Sequence, residues 1–251
     1  MKYIGEIFKT NNCGDMIVTK YLNYENVHVR FIDTGYETVA RIDHIRDGSV
    51  RDKYLPTVYG IGVLGDEVAK VNGEHTAEYK IWYSMLTRCH SEEYHKVQPT
   101  YKGCSVSDKF IFFSYFREWC NDQIGFKSLD DKGKPFALDK DILIKGNKVY
   151  GENTCAFLPR EINNLMINCS KSRGDSAIGT CYSKAHKKYL SKIRKCGKLI
   201  HLGHFDSELE AFLVYKEAKE AYIKDVANKW KDHIDQRAYN ALMNYEVEIT
   251  D

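Results

Sequence analysis

Carboxylate and amide side chains cluster in residues 136–166, FALDKDILIKGNKVYGENTCAFLPREINNLM. Asp139 and Asp141 follow a short apolar run, and Asn163 lies in a segment that Pro159 is well placed to start as a helix. Carboxylate and amide oxygens are suitable ligands for Mg2+, and hydrolysis of a phosphodiester needs a hard cation to stabilise the charge that develops on the phosphate. The stretch therefore has the local plan of a small metal-dependent nuclease site.

The elements that must position these side chains follow from turn and strand signals. Residues 136–143 predict a strand, 145–147 a turn, 154–158 a second strand and 159–166 a helix. The residues alone leave a second interpretation open, in which a plain ββα element uses its aspartates and asparagines for turns and helix caps.

This stretch resembles the HNH endonuclease family, in the form common among phage-encoded and homing-type nucleases. Glu152-Asn153 resembles the central asparagine of the family, and the run from Arg160 to Asn164 looks like its helical motif. The resemblance covers about residues 76–168 and is most specific over 138–164. It implies that Asp139 and Asn163 hold Mg2+ (or Mn2+), while Asn153 braces the strand that carries the general base.

The histidine that serves this family as general base is missing from the run LDKDIL. Aligning Asp139 with the family aspartate puts Lys140 at the histidine position, whereas counting twelve residues back from Asn153 puts Asp141 there. A carboxylate could accept a proton from water, but a lysine would need a substantially lowered pKa to do so. Histidines elsewhere in the chain stay open as alternatives, namely His75, His90 and His95.

A second feature is a basic segment between Asp175 and Asp206 that contains no acidic residue. Strand-forming residues run through it and residues 195–198 predict a hairpin turn, so three short antiparallel strands are expected. A sheet with one apolar face and many cations suits a β-ribbon in the DNA major groove, although a merely solvated basic hairpin is the alternative.

A long helix should follow, because Ser207 and Glu210 have the spacing of a capping box. With the preceding strands, this helix resembles the Apetala-type (ethylene-response-factor) DNA-binding domain over about residues 176–229. The turn 202–205 (LGHF) and the Glu-Ala helix start occur in register with that family. The resemblance implies major-groove contacts from Tyr189, Lys192, Arg194 and Lys195, and phosphate contacts from Lys184, Lys187 and Lys188.

Around these two features the chain is expected to be α+β. Residues 1–68 predict a small β-barrel of about five strands, which could bind a protein partner, and 64–74 predict a linker. Aromatic residues at helical spacing predict helices over 76–90, which Thr76 can cap, and about 110–119. The predicted domains are a barrel adaptor (1–68), an HNH-like ββα-metal domain (74–170), an Apetala-type domain (176–230) and a C-terminal helix or tail (231–251).

Bulk composition excludes several classes of protein. The net charge of +2 is nearly neutral, so only the local distribution of Lys and Arg indicates nucleic acid. No apolar run approaches the roughly 20 residues that span a membrane. The eight cysteines lack any C-x-x-C spacing, which argues against a cysteine-based zinc site, and the start MKYIGEIFK lacks an apolar signal core. We expect a cytoplasmic protein, in the host bacterium if it is phage-encoded.

These observations predict a divalent-metal-dependent DNA endonuclease that binds duplex DNA through its C-terminal domain and hydrolyses phosphodiesters at the ββα site. The alternative is a catalytically inactive, HNH-derived DNA-binding regulator or phage counter-defence protein, which the missing histidine keeps open. A third reading is a protein-binding adaptor in which the N-terminal barrel is the working part.

Overall fold

The computed structural model describes residues 3–167 and 176–251 of the chain. The fold is mixed α+β, as predicted, and the chain divides into two compact units, Met1–Cys120 and Asn121–Asp251. The division falls inside the segment 74–170 that the sequence indicated as one domain. The finer domain boundaries therefore stay a prediction.

The first unit begins with a four-stranded antiparallel sheet in which consecutive strands are neighbours. Its buried face is apolar, with Met16, Val29 and Phe31 at 0 to 1% exposure. The strands are β1 (Ile7–Lys9), β2 (Asp15–Tyr21), β3 (Val27–Phe31) and β4 (Glu37–Ala40).

The expected closed barrel is not found in the described part of this unit. The sheet has two open edges, because β1 pairs only with β2 and β4 only with β3. A short helix, α1 (Ile42–Arg46), follows β4 instead of a further long strand, and its Ile42 and Ile45 complete the core. A helix that supplies apolar side chains removes the need for a closing strand.

Aromatic residues form a second core in this unit, as the helical spacing predicted. Trp82 and Phe113 are fully buried with ring centres 5.3 Å apart, and the indole N–H of Trp82 donates to the Phe110 carbonyl at 2.7 Å. Thr76 caps the helix as predicted. The elements are β5 (Lys70–Val71), β6 (Glu74–His75), α2 (Ala77–His90), α3 (Glu92–Val97), a 3-10 turn (Pro99–Tyr101), β7 (Ser105–Val106) and α4 (Phe113–Asp122).

The predicted linker at 64–74 is tied to its surroundings within the first unit. Asp66 pairs with Lys53 at 2.7 Å, and Arg117 pairs with Glu67. Two strands, β5 and β6, form a hairpin at its end. These contacts make the segment part of the folded unit.

The second unit starts with the predicted ββα element and ends with the predicted sheet and helix. The first part contains β8 (Ala137–Asp139), β9 (Val149–Tyr150), β10 (Ala156–Leu158) and α5 (Arg160–Leu165). The second part contains β11 (Thr180–Ser183), β12 (Lys188–Lys195), β13 (Lys198–Phe205), α6 (Glu208–Trp230) and α7 (Gln236–Met243).

The C-terminal sheet is antiparallel with the order β11-β12-β13, and α6 packs on one side of it. Cys196 and Gly197 connect β12 to β13 with positive φ angles of 48° and 77°, the geometry of a two-residue hairpin turn. Ser207 and Glu210 form the predicted capping box. None of the helices in the described ranges has the length and apolar character needed to cross a membrane.

Candidate functional site

The ββα element places Asp139 at the end of a short strand pair. β8 and β10 are antiparallel, with Asp139 opposite Ala156, and Pro159 is the N-cap from which α5 begins. All three residues of β10 are buried, so this strand has no solvent face. Burial on both sides holds the end of β8 within the protein.

One oxygen of the Asp139 carboxylate organises the loop after β8. Its Oδ1 accepts hydrogen bonds from the backbone N–H groups of Asp141 and Ile142, both at 2.8 Å. Its Oδ2 accepts no hydrogen bond from the described residues. Burial raises the pKa of the Asp139 carboxyl above its ordinary value, and the two N–H donors offset part of that rise. The Asp139 side chain is partly exposed, so this second oxygen is available to a ligand or to water.

Asn163 presents a second oxygen that lacks a partner. It lies in the middle of α5, and its side-chain Oδ1 is buried with no hydrogen-bond donor among the described residues. A buried carbonyl oxygen without a donor is costly, and native proteins usually satisfy such groups or use them to bind a ligand or an ion. Asp139 and Asn163 are the two residues that the sequence assigned to the metal.

Lys140 and Asp141, the alternatives for the general base, form an ion pair. The Lys140 ammonium is buried and donates to the Asp141 carboxylate and, at 2.9 Å, to the backbone carbonyl of Asn147. The Asp141 side chain is 54% exposed. The Lys140 ammonium is therefore enclosed and occupied by its two acceptors, whereas the Asp141 carboxylate is open to a water molecule.

The side chain that braces this loop is Asn147. Its Nδ2 donates to the carbonyls of Lys140 at 2.8 Å and Val149 at 2.7 Å, and its Oδ1 accepts from the Val149 N–H at 3.2 Å. Asn153, to which the sequence assigned the brace, is exposed in the following turn. Sequence reasoning treated 145–147 only as a turn, although an asparagine after a turn glycine is a signal for such local hydrogen bonds.

Cys155 lies beside this site but offers no reactive sulfur. Burial raises the pKa of its thiol to about 12. A thiol with that pKa stays protonated near neutral pH and is a poor nucleophile or metal ligand.

Across residues 3–167 and 176–251, no group of three or more His, Cys, Asp or Glu side chains is arranged to hold a metal ion. Asn163 would contribute an amide oxygen, and asparagine is not among the four residue types of such a group. The histidines that sequence left open as bases, His75, His90 and His95, belong to the first unit.

The C-terminal sheet has two faces with different chemistry. Ser191 and Ile193 of β12 are buried against α6, and side chains alternate along a strand. We call the opposite side, away from α6, the outer face. Strand pairing puts Lys192 opposite His201, Arg194 opposite Leu199 and Leu190 opposite His204.

The candidate DNA-binding residues divide between these faces. Lys192, Arg194 and Lys188 lie on the outer face, and Lys188 is paired with Asp206 at 3.0 Å. Lys184 and Lys187 are exposed in the turn between β11 and β12. Tyr189 and Lys195 lie on the side of α6 instead: the Tyr189 ring is 5.2 Å from Tyr182, and the Lys195 ammonium is 5.3 Å from the ring centre of Tyr222.

The sequence places His186, His201 and His204 in the basic segment but does not indicate which face they occupy. A register shift between Ser191 and Lys192 changes which β13 residues face outward, so His201 and His204 both do. His204 also meets His186, with ring centres 4.6 Å apart. The segment's lack of acidic residues signals the basic face. The bulge lies at Gly203, inside the run 202–205 that the sequence indicated as a turn but that belongs to β13, and an isolated glycine within a strand is the local signal for such a bulge.

The chain matches no protein-family model, no curated protein and no solved structure. The ββα site and the outer face of the sheet are therefore the features from which a function can be inferred.

Proposed function

We propose that this protein is a divalent-metal-dependent DNA endonuclease with an HNH-like ββα site and an Apetala-type DNA-binding sheet. The observation that carries the proposal is the buried, unpartnered Asn163 Oδ1 on the helix of a ββα element whose first strand ends in Asp139, a partly exposed carboxylate with one oxygen free of hydrogen bonds from the described residues. Hard oxygens of this kind suit Mg2+ or Mn2+.

In this proposal, Asp139 and Asn163 hold the cation, which supplies charge stabilisation to the phosphate when bound. Asp141 accepts the proton of the attacking water, because its carboxylate is accessible while Lys140 is buried and paired with it. Asn147 replaces Asn153 as the residue that keeps the loop between β8 and β10 in place.

The second unit also supplies a surface for duplex DNA. Lys192 and Arg194 lie on an exposed strand face, with Lys184, Lys187 and Lys188 at one end of it. Such cations neutralise phosphates and contact guanine edges when a β-ribbon enters the major groove. We infer that the outer face binds DNA and that the ββα site cuts it.

The test is cleavage of supercoiled and phage genomic DNA by the purified protein with Mg2+ or Mn2+, repeated with a chelator. We expect Asp139→Asn and Asp141→Asn each to lower the cleavage rate by at least about 100-fold. Asp225→Asn, which removes an exposed carboxylate from α6, is the matched control and should cut normally. Calorimetry with Mn2+ separates the roles, because only Asp139→Asn should weaken binding of the metal.

One observation favours a second function, that of an inactive DNA-binding regulator. Lys140 occupies a position where the resemblance expects a histidine base, and its ion pair ties up the neighbouring Asp141. Salt-sensitive DNA binding without any metal-dependent cleavage would establish that function and exclude the nuclease.

A further inference from the structure

The long helix α6 contacts both functional parts of the second unit. Towards the C-terminal sheet, the Tyr215 ring packs over Gly179, where an added Cβ would lie 2.1 Å from that ring. The Tyr222 hydroxyl accepts the Cys196 N–H at 3.0 Å, at the turn between β12 and β13. Two residues seven positions apart on α6 thus contact the sheet at two places, just before β11 and at the turn between β12 and β13.

The same helix also holds α5 at both of its ends. In the first turn of α5, the Glu161 carboxylate accepts from the Lys229 ammonium at 2.6 Å and from the Trp230 indole N–H at 2.9 Å. At the last residue of α5, the Leu165 carbonyl accepts from the Lys219 ammonium at 2.8 Å. A cation at the C-terminal end of a helix complements both the free carbonyls and the dipole. Asn163 lies between these two points of attachment.

Lys219 makes this contact at an energetic cost. Burial lowers the pKa of its ammonium, and its described hydrogen bond goes to a carbonyl, which carries no compensating charge. Lysine rarely occupies such a place unless a specific contact is made. Lys219 also lies between Tyr215 and Tyr222 in the helix, so its contact to the end of α5 arises from the same two turns as the contacts to the sheet, and Lys229 and Trp230 hold the start of α5 about two turns further on.

An α-helix has a fixed rise per residue and does not stretch under the forces that bend a loop. Parts that are attached to the same turns of one helix therefore keep a constant separation. The direct covalent connection between α5 and β11 includes residues 168–175, which lie outside the described ranges.

We propose that α6 holds the ββα site and the DNA-binding sheet in one fixed arrangement, so that the cut falls at a constant distance from the bound sequence, with Lys219 and Glu161 as positioning residues. This inference rests on the proposed nuclease function. It adds that the helix sets the distance along the DNA between the bound sequence and the cut, which we call the offset. This offset does not depend on the length of the connection between α5 and β11.

The first experiment changes the connection. A Gly-Ser-Gly-Ser insertion between Lys171 and Ser172 lengthens it, and the cut positions are mapped by sequencing the ends while footprinting locates the bound protein. We expect the offset to be that of the wild type. An offset that moves with the insertion would mean that the connection sets it, and would overturn the inference.

The second experiment loosens the helix contact. Lys219→Met fills a similar volume and removes a buried charge, so the melting temperature should hold or rise. Cleavage at the main position should nevertheless fall roughly 10- to 100-fold and spread to neighbouring positions, because small misplacements of a reacting group are costly. Lys219→Arg should restore the single position, and Glu161→Gln should resemble Lys219→Met. Unchanged cut positions in Lys219→Met would overturn the inference.

Hydrogen exchange separates this inference from the nuclease itself. The amides of α5 should lose protection in Lys219→Met, while those of the sheet and α6 should not. If the wild type binds DNA but cuts nothing, the proposed function fails, and the exchange data still decide whether α6 holds α5. If α5 keeps wild-type protection in both Lys219→Met and Glu161→Gln, the inference that α6 holds α5 is overturned as well.

Discussion

The ββα element and the C-terminal sheet lie in the same compact unit but are built in opposite ways. The strands β8 and β10 contain three residues each, and the polar groups of interest are partly enclosed: Asn163 Oδ1 is buried, and burial raises the pKa of the Asp139 carboxyl. The strands β12 and β13 contain eight residues each and carry their cations in solvent. The polar groups of the ββα element are partly enclosed, whereas the cations of the sheet are exposed to solvent.

The difference agrees with what each proposed task would require. Stabilising charge on a phosphate needs oxygens that are desolvated and held in place, and short strands achieve this only with support from loops and neighbouring helices. Binding a phosphate backbone needs exposed charge on a stiff surface, which a hairpin sheet with one apolar face provides by itself. The stability of the ββα element should therefore depend on single hydrogen bonds, and that of the C-terminal sheet on the packing beneath its exposed face.

The largest effect is expected where α6 packs on the sheet. Gly179 and Gly197 have nearly the same φ, 76° and 77°, but a Cβ at Gly179 would meet the Tyr215 ring whereas nothing lies within 4 Å of one at Gly197. Gly197→Ala should cost only the backbone penalty of about 1 kcal/mol. Gly179→Ala adds a severe overlap and should cost at least about 3 kcal/mol. Urea unfolding measures both, and equal losses would contradict the packing argument.

An intermediate effect is expected when charge is removed from the outer face. Lys192→Gln combined with Arg194→Gln should weaken duplex binding roughly 10- to 100-fold and flatten its salt dependence, because each lost phosphate contact removes about 0.9 from the slope of log K against log salt. Lys195→Gln removes a cation from the opposite face of the same strand. Fluorescence anisotropy at several salt concentrations should show near wild-type binding for that variant; a comparable loss would mean that the two faces contribute equally.

The smallest effect tests the brace in the ββα element. Asn147→Ala removes three hydrogen bonds from the loop between β8 and β10 and should lower stability by about 2 kcal/mol, whereas Asn153→Ala should change it by less than about 0.5 kcal/mol. Thermal unfolding measures the difference, and cleavage assays should follow the same order. If Asn153→Ala were the more damaging change, the brace would belong to Asn153 after all.

The sequence predicted those features whose causes lie within a few residues. The Thr76 cap, the Ser207 and Glu210 capping box, and the hairpin turn at Cys196 and Gly197 all form as expected, because each depends on a side chain and its immediate backbone. The order strand, strand, helix around the candidate site is also present.

Features that depend on contacts across the fold were predicted less well. The barrel was wrong because Ile42 and Ile45 of a short helix complete the core. Tyr189 and Lys195 were grouped with Lys192 and Arg194 because composition does not distinguish the two faces of a strand. Asn147 was missed as the brace because its hydrogen bonds form only when the loop closes on Lys140.

The alternation along β12 has a consequence for how such a protein can change over generations. Its inward side chains are fixed by packing on α6, whereas the outward ones touch mainly solvent, where substitutions usually alter folding stability by less than about 0.5 kcal/mol. If the outer face binds DNA as proposed, its preferred sequence can change while the scaffold persists. Such a protein could then acquire new targets one outward residue at a time, without changes in the ββα site.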